Sequence, residues 1–103
     1  MRIDFIDPTH HKGLNSTVRL GPRVIPADTK IHIFQTGEKE PTHEGVVINT
    51  KITQYKDLTI DDIRYQHSED TRDFNGLWKA MVRAYGDKIT PESVITVIYY
   101  IVE

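Results

Sequence analysis

"SVITVIYYIV", Ser93 to Val102, is apolar at nearly every position, so a strand here has no face to offer to water. A strand of that kind is either central in a covered sheet or one that closes a small barrel with a helix on its outside. It must be covered on both sides. Immediately upstream, Phe74, Leu77, Trp78, Met81, Val82 and Tyr85 recur at i, i+3, i+4, i+7, i+8 and i+11, the spacing of an amphipathic helix. Asp73 is placed to cap its start and Gly86 to end it. Further back, DLTIDDIRYQH has Thr59 and Asp62 three apart, a capping box with Asp in place of Glu. That spacing predicts a second, short helix reaching to about His67, followed by the polar loop Ser68 to Arg72.

The N-terminal half reads as strands. Arg2 to Ile6 puts Ile3 and Phe5 on one face and closes at the Asp7-Pro8 turn. Ser16 to Leu20 is stopped by Gly21-Pro22, and a third strand runs from Thr29 to Thr36. The charged loop Gly37 to Glu44 leads into Gly45 to Tyr55, whose face bearing Val46, Ile48, Ile52 and Gln54 is expected to pack on the core. Four strands, two helices and a last strand make an α+β domain with a mixed or antiparallel sheet, since repeated strand-helix alternation is missing. The picture is a curled sheet with a helical lid.

The 103 residues are enough for one domain, spanning 1–103, with a core that needs no staple. With 38% hydrophobic and 27% charged residues the chain reads as soluble and globular. The N-terminus lacks a signal-peptide pattern, and no apolar run approaches the roughly 18 residues of a membrane span. A cytoplasmic protein with no membrane contact is therefore expected. The absence of cysteine excludes thiolate metal sites, thiol nucleophiles and disulfides. A net charge of −2 argues against a general polyanion binder, so any nucleic-acid site is a local patch.

Few motifs carry chemistry. The five histidines show no metal-ligand spacing and read as surface residues, so no metal and no cofactor are expected. Ser16, His67 and Asp70 make a triad only on paper, without a nucleophile elbow. No Gly-rich phosphate loop occurs, and the sequon Asn15-Ser16-Thr17 has no consequence without secretion. The stretch NSTVRLGPR, Asn15 to Arg23, is different. Alternation turns Thr17 and Arg19 to one side, with Arg23 a candidate to join them, and Ser16 and Val18 to the other. A hydroxyl beside a planar five-donor guanidinium suits a phosphate or the edge of a base. Alternatively, Arg19 pairs with Glu69 or Asp70 and ties the helical lid to the sheet. Tyr65, Phe34 and Tyr55 are candidates to stack on a base.

With these residues in view, the sequence resembles the ASCH domains, a family with a PUA-like fold. The likeness is carried by Gly13-Leu14-Asn15-Ser16-Thr17-Val18-Arg19-Leu20-Gly21, similar to the family's G-x-K-T-x-T-x-R segment. It continues through Asp57 to Ile63 and on to His67, through Ala84-Tyr85-Gly86, and through Val94 to Tyr100. The resemblance implies a small PUA-like β-barrel with two helices beside a cleft between the Asn15 to Arg23 strand and the Ser68 to Arg72 loop. It also implies binding of RNA, a nucleoside or a nucleotide there, through Asn15, Ser16, Thr17, Arg19, Arg23 and His67. Some relatives, in bacteria, are amidohydrolases that deacetylate 4-acetylcytidine, and some have been assigned nuclease activity. Carried over position by position, the amidohydrolase chemistry would use Thr17 as nucleophile and Glu69 or Asp70 as base. The family's lysine position is Asn15 here, which donates hydrogen bonds but cannot take a proton; Lys12 precedes Gly13 and would need another loop path.

Overall fold

The computed structural model describes residues 1–6 and 9–103; the expected Asp7-Pro8 turn lies outside the described residues. Five strands form one mixed sheet: β1 (Arg2–Phe5), β2 (Gly13–Leu20), β3 (Lys30–Gln35), β4 (His43–Gln54) and β5 (Val94–Val102). Their order is β1-β3-β4-β5-β2, with β1 and β3 parallel and the other pairs antiparallel. Two helices, α1 (Ile60–Ile63) and α2 (Phe74–Tyr85), lie between β4 and β5 in the chain. No helix among the described residues is long and apolar enough to cross a membrane.

β5 is central, as its sequence demands. Ile98, Tyr100 and Val102 point into one core with Ile3, Phe5, Ile31, Ile33 and Val47. Ile95 and Val97 point the other way, into a second core with Val18, Leu58, Ile63, Leu77, Met81 and Ile89. The first core fills the inside of the curled sheet and the second lies under the helices. From Ile95 to Ile98 both sides of β5 are thus removed from water, which is the main driving force for this arrangement, while Val94 and Ile101 stay exposed. The barrel expected from the resemblance is open, because β1 and β2 are the two ends of the strand order and do not pair.

Three local expectations change. The β4 face of Val46, Ile48, Ile52 and Gln54 is not the core face: Val47 is buried, while Ile48 and Ile52 are exposed. A register shift between Val47 and Asn49 makes Ile48 the extra residue of a β-bulge, so the expected face does not run through: Val46 lies opposite Ile101 and Ile52 opposite Thr96, on different sides of β5. The first helix stops at Ile63 rather than near His67, although its Thr59–Asp62 capping box is formed. Residues beyond it leave to pair with β2, as described below. In α2 only Leu77 and Met81 are buried, with Phe74 and Val82 exposed, so the helix lies against the sheet along a narrower stripe than its periodicity suggested.

The start of α2 is held by contact as well as by its cap. Asp73 Oδ1 accepts a hydrogen bond from the Gly76 amide at 2.7 Å, and a Cβ at Gly76 would fall on the carbonyl oxygen of Asp70. Only glycine lets the helix approach the Glu69–Thr71 turn this closely. Gly76→Ala gains helix propensity, about 1 kcal/mol, but overpacks this contact; the expected net loss is about 1–2 kcal/mol of stability. Urea unfolding measures it, and an unchanged or raised midpoint would show that the turn moves aside freely.

Candidate functional site: the open seam of the sheet

Because the sheet curls without closing, the free edges of β1 and β2 face each other, and Arg19 spans the gap. Its Nη2 donates to the Asp4 carbonyl at 2.9 Å and its Nε to Thr17 Oγ1 at 3.2 Å. The guanidinium carbon sits 4.5 Å from the centre of the Phe5 ring, a cation–π contact. Strand alternation produces this pairing: Thr17 lies opposite Ile98 and Arg19 opposite Thr96, both on the inside of the curl. Burial pulls the Arg19 pKa down from its ordinary value, though a guanidinium remains charged. Among the described residues no carboxylate lies within ion-pair distance of Arg19. The alternative in which Glu69 or Asp70 pairs with it is therefore not what the fold builds.

The outer edge of β2 is partly occupied by the chain leaving α1. The Ser16 amide donates to the Tyr65 carbonyl at 2.8 Å and the His67 amide to the Ser16 carbonyl at 3.1 Å, a parallel bridge between Ser16 and Gln66. This places His67 in the seam, edge-on to Phe5 with ring centroids 4.6 Å apart and stacked on His10 at 5.0 Å. His10 in turn shares a 2.6 Å hydrogen bond with the hydroxyl of Tyr100. Burial lowers His10 to about 3, reinforced by His67, His43, His11 and Arg19. Burial also lowers His67 to about 4, reinforced by Arg19, Arg72 and His11. Two histidines expected at the surface are instead neutral rings in the seam wall. Among the described residues no group of three or more histidine or acidic side chains is arranged to hold a metal ion.

Between the seam and α2 lies a cleft of about 910 Å³. Asp4 to Ile6, Thr17 to Arg19 and Gln66 to Ser68 form one side, and Asn75, Lys79 and Arg83 of α2 face them. Arg72 Nε donates to the Gln66 carbonyl at 3.0 Å and Thr71 Oγ1 to the Ser68 carbonyl at 2.8 Å, which fixes the loop at the cleft's end. The volume is within the range of small-molecule sites.

The residues singled out in the sequence divide. Thr17, Arg19, His67 and Asp70 line the cleft. Asn15 is fully buried, and its Nδ2 donates to the carbonyls of His11 at 2.6 Å and Gly13 at 3.1 Å; its amide closes a loop and does not face the cleft. Ser16 is buried on the opposite side of β2 from Thr17, without a partner for its hydroxyl among the described residues, so the paper triad with His67 and Asp70 is not assembled. Arg23 is exposed, with its amide bound to Thr96 Oγ1, and it lies outside the cleft. Glu69 and Asp70 are both exposed, so neither has the burial that the sequence argument required of a carboxylate base, and Glu69 does not line the cleft. Lys12 is exposed and is not among the lining residues either. Tyr65, Phe34 and Tyr55 are elsewhere; the aromatic side chains at the cleft are Phe5 and Tyr85. Asn75, Lys79 and Arg83 were missed although they repeat at i, i+4 and i+8, a polar helix stripe legible in the sequence. Gln66 gave no signal at all.

An open, curled five-stranded sheet with helices beside a cleft at its seam is a PUA-like α+β fold. The fold is similar to that of an ASCH domain from Lactobacillus crispatus JV V101, which superposes with a TM-score of 0.68 at 9% identity, covering 85% of this chain. A protein from Enterococcus faecalis V583 matches with a TM-score of 0.56 at 11% identity over 88% of this chain. In both cases the match covers 63% of the other chain's length. No family model and no curated protein matches the sequence.

Proposed function

We propose that the chain is an RNA- or nucleotide-binding module whose cleft holds a base and its phosphate. The observation that carries this is the state of Arg19. Among the described residues two of its five N–H groups are engaged, by Thr17 and Asp4, and none of the other three is. A half-buried guanidinium without a carboxylate partner among the described residues, held against an aromatic ring and opening on a cleft, suits a phosphate, which matches the guanidinium fork. Lys79 and Arg83 across the cleft add positive charge, while Asp4, Asp70 and Asp73 keep the site from being a general polyanion surface.

The amidohydrolase alternative has one contact in its favour, the hydrogen bond that Thr17 Oγ1 accepts from Arg19. A cation beside the hydroxyl would stabilise developing negative charge, but the reaction also needs a base for the Thr17 proton. With Asn15 committed to its own loop and both acidic candidates exposed, binding is the better-supported function.

Backbone-amide NMR tests it, with a short single-stranded RNA in one arm and uridine 5′-monophosphate in the other. Shifts are expected at Asp4 to Ile6, Thr17 to Arg19 and Gln66 to Arg72, stronger with the RNA if flanking nucleotides also bind. No shifts with either probe at moderate salt, or shifts confined to the far side of the sheet, would overturn the proposal. Release of acetate from 4-acetylcytidine would replace it with the hydrolase function.

A further inference from the structure

The cleft is larger and carries more cations than one nucleotide requires. At about 910 Å³ it stands near the top of the range for small-molecule sites. Arg19 lies on its sheet side, and Lys79 and Arg83 lie on its helix side. The two helix residues are four positions apart in α2, so they project from one face about 6 Å apart along the axis. Both are exposed, and among the described residues neither is paired with a carboxylate. The helix dipole accounts for a cation in the last turn, where Arg83 sits, but not for Lys79 in the middle. The acidic groups at the cleft are placed differently. Arg2 Nε binds Asp4 Oδ1 at 2.9 Å, and Asp73 Oδ1 accepts from the Gly76 amide. Asp70 and Asp73 stand where α2 begins, and Asp73 is about 15 Å along the helix from Arg83. The helix side of the cleft is therefore acidic at its start and basic from its middle onward.

The geometry points to a second phosphate subsite on α2: Lys79 and Arg83 hold the phosphate of a neighbouring nucleotide in the same strand, and the ligand is a single RNA strand, not a free nucleotide. The inference rests on the cleft being a nucleotide site with a phosphate on Arg19. Phosphate contacts fix the position of a strand, and cations on two facing walls fix it at two points. The carboxylates at Asp70 and Asp73 repel phosphates, so the strand runs from Arg19 toward the C-terminal half of α2 and away from that end.

Calorimetry tests this by comparing uridine 5′-monophosphate with 5′-phosphorylated tetrauridylate, which supplies neighbouring phosphates in either strand direction. The unmodified protein is expected to bind the tetranucleotide about 10–100-fold more tightly, the scale of charge-assisted bonds to one added phosphate. Its affinity should also fall more steeply with salt, by about 0.7 in the slope of log affinity against log salt concentration. Lys79→Gln combined with Arg83→Gln should weaken the tetranucleotide much more than the monophosphate and remove the extra salt slope. Both side chains are exposed, so this variant reports on binding and not on folding. Lys39→Gln combined with Lys56→Gln removes the same charge outside the cleft and should keep both the ratio and the slope. A ratio no larger than the count of nucleotides in the longer ligand, which statistics alone supply, overturns the second subsite while leaving the nucleotide site standing. So does an undiminished ratio in the α2 variant, or an equal loss in the variant outside the cleft. Failure of the unmodified protein to bind either ligand overturns the site itself.

Discussion

Acidification from pH 7 to pH 5 is expected to cost the protein about 2–3 kcal/mol of folding stability, through His10 and His67. In the unfolded chain each imidazole titrates near 6.5. In the fold His10 is lowered to about 3 and His67 to about 4, first by burial. Between those values the unfolded state binds more protons than the native state, so stability is full above about pH 6.5 and falls as the pH drops. One group contributes about 1.4 kcal/mol per pH unit, or about 2 kcal/mol by pH 5. Two would give twice that, but both rings retain some exposure, and water screens part of the effect. The neighbours act in the same direction: Arg19, Arg72 and His11 face His67, and His43 and His11 face His10. Urea midpoints at the two pH values measure the loss. His67→Gln, which removes one titrating group, should reduce the slope by about half. A flat profile in the unmodified protein would show that both rings protonate in the fold as readily as in the unfolded chain, and an unchanged slope in the variant would show that His67 does not carry the loss.

That acid sensitivity has its origin in residues whose burial the sequence did not announce. Histidines at positions 10 and 67 have polar neighbours and no periodic pattern; they become a stacked pair only because the sheet curls and brings two chain segments together over Phe5. What the sequence showed well was local. β5 is apolar on both faces, and it lies between β4 and β2 with a core on either side. The Asp73 cap and Gly86 end of α2 were legible from side-chain chemistry alone, as was the Thr59–Asp62 capping box. Contacts between distant segments were not legible. The bulge at Ile48 depends on how β4 fits β5, and it divides between the two sides of the sheet a face that simple alternation carried through the whole strand. The candidate site divides along the same line. Thr17 and Arg19 could be paired from strand alternation, whereas Gln66 arrives through a bridge to Ser16 that no spacing encodes.

Arg19 offers the largest expected effect on binding. Replacing it with methionine removes the half-buried cation that spans the seam while keeping an unbranched apolar stem against Phe5. Charge-assisted bonds to a phosphate contribute about 1.5–3 kcal/mol, so Arg19→Met should weaken uridine 5′-monophosphate binding by about 10–100-fold. Arg19→Lys restores the charge without the fork and should recover only part of that loss. Arg19 also braces the seam by donating to the Asp4 carbonyl, so lost affinity alone would not separate a ligand contact from a structural one. Uridine, which lacks the phosphate, makes the separation. If Arg19 holds the phosphate, the unmodified protein binds the monophosphate more tightly than the nucleoside, and Arg19→Met erases that difference while leaving uridine affinity nearly unchanged. If Arg19 serves only as a brace, both ligands weaken together and the difference survives. The first pattern is expected, because a brace needs only the one bond to Asp4, and the N–H groups that bind neither Asp4 nor Thr17 among the described residues are what a phosphate in the cleft would use.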